Sequence, residues 1–210
     1  MATYDLEEQE QIDIIKTWWK RNGNTVMLAV AVFAVTVAGV QGWRQYQNSQ
    51  ATKASTMYEV LQGVAKSADA KKTREAAGQI IEQYPSTAYA PRAALIAAKS
   101  NYDAGDAQSA KAQLQWATEH AKEDAVRDMA RLRLAGVLLD EKNYAEASKQ
   151  VETPSSPAFV ALFADLKGDI LAAQGKNTEA RSAYQTALDK IGAKSPYRQL
   201  IQMKQDGLGT

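Results

Sequence analysis

The chain has 210 residues, with 25 Lys and Arg against 24 Asp and Glu, one His and no Cys. The balanced charge argues against a broad basic surface for nucleic acid. The lack of Cys excludes a disulfide framework, a thiolate metal site and a Cys nucleophile. The single His excludes any site that needs two imidazoles, such as the HExxH zinc helix.

The first 21 residues are predicted to form a short amphipathic helix. Ile12, Ile15 and Trp19 recur at helical spacing. Acidic side chains come first and basic ones last, which suits the dipole of a helix. This segment is either an interfacial lead-in to the membrane or a small cytoplasmic docking element.

Residues 22–43 carry no charge, and Arg21 and Arg44 enclose them. A hydrocarbon core of about 30 Å needs about 20 apolar residues in helical form, so the segment predicts a transmembrane helix. Trp18 and Trp19 before it and Trp43 after it are predicted interfacial anchors. The alternatives are a buried core helix and a removable signal peptide. The leading segment is too long and too acidic for a signal peptide, and no small-residue cleavage site follows.

The orientation of this span follows from the basic residues that flank it. Three lie just before it and two lie after it: Lys16, Lys20 and Arg21, then Arg44 and Lys53. The positive-inside rule then places the N-terminus in the cytoplasm and the C-terminal part outside, which is the periplasm in a bacterium.

A row of small residues lies along one face of the predicted span. Ala34, Ala38 and Gly42 are four positions apart, and such rows let helices approach closely in lipid. The row predicts a helix-packing face, although small residues are common in spans in any case.

Residues 44–210 are predicted to form an array of helical hairpins. The strong helix formers dominate, and all five prolines fall between the periodic segments. Three segments share a polar turn, a small residue and a packing residue four positions later. The small residues Ala110, Ala147 and Ala180 are 37 and 33 positions apart, close to the tetratricopeptide period of about 34. The predicted fold is therefore all-α, with one transmembrane helix followed by a tetratricopeptide-like α-solenoid.

Further helices are expected at both ends of the array. Residues 47–67 and 71–84 resemble a degenerate first repeat, and a helix after Pro196 is predicted to cap the last one.

Repeat arrays bind extended segments on the surface lined by the first helix of each pair. The positions on this surface that we expect to bind a partner are Arg92, Lys99, Tyr102, Met129, Asp165 and Asp169. Asp165 and Asp169 could also act in acid–base chemistry, but the sequence shows no partner opposite them. We therefore expect no catalytic residues, no metal site and no cofactor.

Several segments in this order resemble the YfgM-type ancillary subunit family of the bacterial Sec translocon. They include an acidic tail leading into WWKRNG at 18–23, and a single span that ends in GWR at 42–44. The others are FADLKGD at 163–169, ARSAY at 180–184 and QMK at 202–204.

The resemblance implies an inner-membrane protein with its repeat domain in the periplasm. It implies association with SecYEG and with PpiD, a membrane-anchored periplasmic chaperone, and help in passing emerging client proteins to chaperones. We therefore expect three parts: a cytoplasmic tail (1–21), a transmembrane helix (22–43) and a periplasmic repeat domain (44–210). The alternative is a regulator whose tail holds a cytoplasmic response regulator, and deletion of residues 1–15 would separate the two.

Overall fold

The computed structural model describes residues 2–67 and 69–209, with side chains from residue 10 onwards. The acidic side chains of Asp5, Glu7 and Glu8 in the predicted tail lie outside this description. The chain divides into two units, residues 1–49 and residues 50–210. The helices are α1 (Ala2–Lys66), α2 (Ala70–Gln83), α3 (Tyr89–Asp103), α4 (Ala107–His120), α5 (Asp124–Asp140), α6 (Tyr144–Gln150), α7 (Val160–Ala173), α8 (Asn177–Lys190) and α9 (Tyr197–Asp206), with a 3₁₀ turn at Pro157–Phe159. No strand occurs within these described ranges, so the all-α prediction is confirmed.

Among the described residues, α1 is the one helix that is long and apolar enough to cross a membrane, and the first unit contains its apolar segment. Its large apolar side chains are exposed, among them Phe33 and Val35. Thr36 donates from Oγ1 to the carbonyl oxygen of Val32 at 2.8 Å. The hydroxyl is therefore satisfied within the helix, as hydrocarbon surroundings require.

Aromatic residues stand on both sides of the apolar segment. The rings of Trp18 and Trp19 lie 6.4 Å apart, and those of Trp43 and Tyr46 lie 5.9 Å apart. All four side chains are exposed. This arrangement suits amphipathic rings at two membrane interfaces.

The second unit consists of hairpins whose turns repeat one backbone geometry. Gly105, Lys142 and Gly175 all have positive φ, at 83°, 60° and 75°. After each of them, the next N–H bonds back to the carbonyl five residues earlier, at 2.8, 2.8 and 3.0 Å. This is the Schellman ending of a helix, which satisfies carbonyls that the helix leaves open.

The small residue five positions after each turn sits at the helix crossing. Ala110, Ala147 and Ala180 are all fully buried. The residue four positions later is buried in each repeat: Leu114, Val151 and Tyr184. These contacts join α3 to α4, α5 to α6, and α7 to α8.

The second repeat departs from the other two. Its α6 has 7 residues, against 14 in both α4 and α8. Pro154 lies four positions after the last residue of α6, and the residue before a proline avoids helical conformation, so α6 cannot extend to the length of α4 and α8. The buried carboxylate of Asp128 then holds the following loop by accepting the N–H groups of Ser155 and Ser156 at 3.0 and 2.7 Å.

The two ends of the second unit are closed by helices outside the three hairpins. Leu61 of α1 is buried with Ile80 of α2 and Ala93 of α3. At the other end, Ile201 of α9 is buried with Leu188 of α8. Both ends of the apolar core are therefore covered.

Candidate functional site

The first helices of the three hairpins form one continuous face. α3 contacts α5, and α5 contacts α7. A cavity of about 320 Å³ opens between α3 and α5, and one of about 450 Å³ opens along α3 beside Ala65 and Ala70. Lys99 and Arg133 line both of them. We call these two cavities the α3–α5 groove.

The smaller cavity has an apolar floor and a polar rim. Ala98, Leu114 and Val137 are buried, and they line its interior. The rim is formed by three exposed side chains, Lys99, Tyr102 and Arg133. A volume of 320 Å³ is at the small end of ligand sites, which is suitable for one or two side chains.

A glycine creates part of this space. Counted back from the left-handed turn residue, Gly136 occupies the repeat position that Lys99 and Asp169 occupy in the other two hairpins. A Cβ atom built on Gly136 would meet nothing within 4 Å. The space beside Gly136 is therefore open, and helix stability alone would favour Ala at this position by about 1 kcal/mol.

Arg133 is the residue of this groove that the sequence-based expectations missed. It donates to the backbone carbonyl of Leu95 at 3.2 Å, and among the described residues no carboxylate forms an ion pair with it. The side chain as a whole is exposed, but protein atoms around the guanidinium displace water from it, and this desolvation lowers its pKa. The repeat offered a signal, because Ile96 and Leu166 stand at the same position in the other hairpins. The second hairpin thus has an arginine where the other two have an apolar residue.

The neighbouring polar groups on the rim are paired. Lys99 Nζ lies 2.5 Å from a carboxylate oxygen of Asp103. The Tyr102 hydroxyl donates to Asp140 across the two helices, and this hydrogen bond raises the pKa of the tyrosine. Arg133 is therefore the cation of the rim whose charge is not matched within the described chain.

Lys99 and Tyr102 thus meet in one cavity, whereas Arg92 and Met129 do not join it. Arg92 donates to Glu123 at 2.6 Å, at the approach to α5. Met129 is partly buried and packs on the core beneath α5. These two predicted partner-binding positions have roles within the fold, and the structure does not bring them into the α3–α5 groove.

Asp165 and Asp169 lie at the other end of the face, and the expectation that nothing opposes them was wrong. Lys204 of α9 lies 3.0 Å from Asp165 and 2.8 Å from Asp169. Tyr184 also donates to Asp169 at 2.8 Å. The pairing depends on α9 folding back over α7, across 39 and 35 positions of sequence, which no local pattern reports.

The titration of this cluster follows from burial and pairing. Burial raises the pKa of Asp165, although Lys204 acts in the opposite direction. Burial also lowers the pKa of Lys204, but its hydrogen bonds to Asp169 and Asp165 outweigh this, so the net shift is upward. Both shifts describe a partly buried ion-pair cluster that attaches α9 to the last repeat.

The arrangement of the groove is suited to binding. Within the part of the chain that the structure describes, no three His, Asp or Glu side chains are placed to hold a metal ion. The groove offers an apolar recess, an unpaired guanidinium and a row of hydrogen-bonding groups. These are the features by which a protein surface fixes a short segment of another chain.

The span residues form a separate candidate surface in the first unit. Ala34, Ala38 and Gly42 are exposed, and a Cβ atom on Gly42 would meet nothing within 4 Å. The predicted helix-packing role of this row stays a prediction.

Comparison with known proteins gives consistent matches over nearly the full length. Residues 16–210 match the family model described as "Tetratricopeptide repeat-like domain". Three relatives are each named "Ancillary SecYEG translocon subunit". The relative from Neisseria gonorrhoeae is 32% identical over 97% of this chain and 98% of its own. The relative from Haemophilus influenzae is 31% identical over 88% and 90%, and that from Escherichia coli is 26% identical over 99% of both.

The family model agrees with the repeated hairpins, and the relatives cover both the apolar segment and the repeats. The resemblance drawn from the sequence segments is therefore confirmed. The chain belongs to the tetratricopeptide repeat-like family of ancillary SecYEG translocon subunits.

Proposed function

We propose that this chain is a membrane-anchored, non-enzymatic scaffold that associates with the Sec translocon. The observation that carries this proposal is the similarity to ancillary SecYEG translocon subunits, which extends over nearly the whole chain. The apolar segment of α1 would hold the protein in the inner membrane beside the translocon. The repeat domain would then act at the membrane surface.

The scaffold role is supported by the type of site that the repeats build. The open groove contains one arginine that is free to bind a partner, whereas the neighbouring Lys99 and Tyr102 are already paired with carboxylates. Repeat arrays use such extended faces to bind other chains. A protein of this design acts by bringing partners together.

The second partner that we propose is a PpiD-like periplasmic chaperone, with unfolded client proteins passing between the two. This requires the repeat domain on the periplasmic side and the N-terminus in the cytoplasm. The excess of basic residues before the span supports that orientation.

The orientation can be tested directly because the chain contains no Cys. Single Glu10→Cys and Lys190→Cys variants would be labelled with a membrane-impermeant maleimide on intact cells whose outer membrane has been opened. We expect labelling at position 190 and none at position 10 until the inner membrane is dissolved. The reverse pattern would contradict the proposal.

The partners can be tested by photocrosslinking in native membranes. A photoreactive residue would replace Ala38 in the span or Tyr102 in the groove. Val40, on the opposite side of the helix, and Ala112, exposed on α4, provide matched controls. We expect SecYEG adducts from position 38 and chaperone or client adducts from position 102, each stronger than its control.

Two results would count against this proposal. Without SecYEG adducts from any span position, the association with the translocon fails. With adducts only between copies of the chain, a self-associating role replaces the scaffold. The regulator hypothesis for the N-terminal tail stays a prediction.

A further inference from the structure

The α3–α5 groove combines an apolar recess with a guanidinium, that of Arg133, which forms no ion pair among the described residues. The recess is lined by Ala98, Leu114 and Val137, and it opens beside Gly136. Arg133 stands at its mouth and also borders the second cavity along α3. A ligand in the recess would therefore lie within reach of the guanidinium.

The recess has the dimensions of a side-chain pocket. Its 320 Å³ cannot hold a folded domain or a helix, but a large aliphatic side chain fits. The polar part of its lining is confined to Lys99, Tyr102 and Arg133 at the rim. The floor therefore selects for an apolar group, because a polar one would lose its hydrogen bonds to water.

The guanidinium of Arg133 selects for a carboxylate at its own end of the recess. Lys99 pairs with Asp103 at 2.5 Å. Asp140 accepts the hydroxyl of Tyr102 and lies about two helical turns along α5 from Arg133, so its negative charge is at the Tyr102 end of the rim. Arg133 uses one hydrogen bond to hold its position on Leu95, which leaves most of its five N–H donors unused. The planar guanidinium fits a carboxylate with two parallel hydrogen bonds.

We propose that the α3–α5 groove binds extended segments of unfolded protein in which a large aliphatic residue stands next to Asp or Glu. The aliphatic side chain enters the recess beside Gly136, and the carboxylate pairs with Arg133. This deepens the proposed function, since it assigns a sequence preference to the clients that the scaffold would receive.

Because Gly136 has no side chain, a larger residue at this position can block the recess, which gives a test that separates binding from folding. A Cβ atom at this position meets nothing within 4 Å, so the side chain of Gly136→Leu would start from an open position and occupy the recess. Gly78 in α2 provides a matched control, because a Cβ atom there also meets nothing within 4 Å. Both changes replace a helical glycine with a good helix former.

The probe is a fluorescein-labelled peptide of Gly and Ser with one central leucine–glutamate pair. Its binding to the full-length protein in detergent would be followed by fluorescence anisotropy. We expect replacement of the leucine by alanine, or of the glutamate by lysine, to weaken binding at least about tenfold. Gly136→Leu should do the same, whereas Gly78→Leu should leave binding unchanged.

Charge reversal gives a second test that does not depend on the glycine. Arg133→Glu should weaken binding of the leucine–glutamate peptide at least about tenfold and make the leucine–lysine peptide the better ligand. Lys149→Glu, an exposed change on α6, should leave the binding of both peptides unchanged.

The outcomes are separable from those for the scaffold. Lack of peptide binding overturns the inference. An affinity that changes neither with the charge of the peptide nor with Arg133→Glu also overturns it. If SecYEG crosslinks persist in that case, the scaffold proposal stands and only the peptide preference fails. If Gly136→Leu prevents folding, the charge-reversal pair decides the question.

Discussion

The ring of Tyr184 lies against the backbone of Gly168, so closely that a Cβ atom on Gly168 would stand 2.4 Å from a ring carbon. This contact fixes the approach of α7 to α8. The same tyrosine donates its hydroxyl to Asp169 at 2.8 Å. Tyr184 thus contributes both to the packing of α7 against α8 and to the cluster of Asp165, Asp169 and Lys204 that attaches α9.

Gly168→Ala should therefore destabilise the repeat domain. The methyl group would displace the ring of Tyr184, and such overpacking costs about 1–3 kcal/mol. The loss would be measured by denaturant unfolding of the full chain in detergent. A variant as stable as the wild type would show that α7 and α8 have room to separate.

Gly136→Ala should have the opposite effect to Gly168→Ala and stabilise the repeat domain. No atom lies near the new Cβ atom, and alanine is the better helix former by about 1 kcal/mol. We expect the free energy of unfolding to rise by up to about that amount. A decrease like that expected for Gly168→Ala would mean that the space beside Gly136 is filled.

Lys204→Gln should release α9 from the last repeat. The change leaves Asp165 and Asp169 without their shared cation, and these groups are only partly exposed. We expect a loss of about 1–3 kcal/mol in stability. Amide hydrogen exchange should rise first in α9, and Lys190→Gln at the exposed end of α8 should have no such effect.

The same ion-pair cluster should weaken at alkaline pH. Because the pKa of Lys204 is raised in the folded state above 10.5, its contribution is complete below pH 10.5. That contribution is lost as the pH rises through the folded-state pKa. The stability difference between the wild type and Lys204→Gln should shrink in that range. A difference that stays constant to the highest workable pH would contradict the pairing.

Asp128→Ala should loosen the loop that follows the short α6. Asp128 is fully buried and accepts two backbone N–H groups, from Ser155 and Ser156. Loss of a buried charged acceptor with both donors left unpaired should cost about 2–4 kcal/mol. The check is faster amide exchange at Ser155 and Ser156, with Asp189→Ala, an exposed change on α8, as the control.

Asp106→Ala should remove the N-cap of α4, and the resulting loss of stability should depend on pH. Asp106 accepts the backbone N–H of Ser109 at 3.0 Å, and this bond holds its pKa below the usual 3.8. Its contribution to stability is therefore present above pH 3.8 and is lost as the pH falls through the folded-state value. Asp106→Asn keeps an acceptor without the charge, so its stability should show less dependence on acid than that of the wild type.

Local patterns in the sequence predicted the architecture well. The spacing of Ala110, Ala147 and Ala180 gave the positions of the three hairpins, because each alanine follows its left-handed turn residue by five positions. The anchoring of the loop after α6 was not predicted, since Asp128 reaches Ser155 and Ser156 from 27 and 28 positions away.

The site was predicted less completely. Lys99 and Tyr102 were identified because they occupy repeat positions on the first helix, and both line the smaller cavity. Arg133 was not predicted, because an arginine on a helix is usually a solvated side chain. Its lack of an ion-pair partner can be seen only in the folded chain. The position of Lys204 over Asp165 likewise depends on how α9 packs.

The most direct test of the central claim is recovery of SecYEG with the tagged full-length chain from mildly solubilised native membranes. The matched control carries an unrelated membrane span of equal length in place of residues 22–43. We expect SecYEG to be recovered with the natural chain, and we expect recovery to fall in the control. Failure to recover SecYEG with the natural chain, under conditions that keep the translocon intact, would contradict the proposed scaffold function.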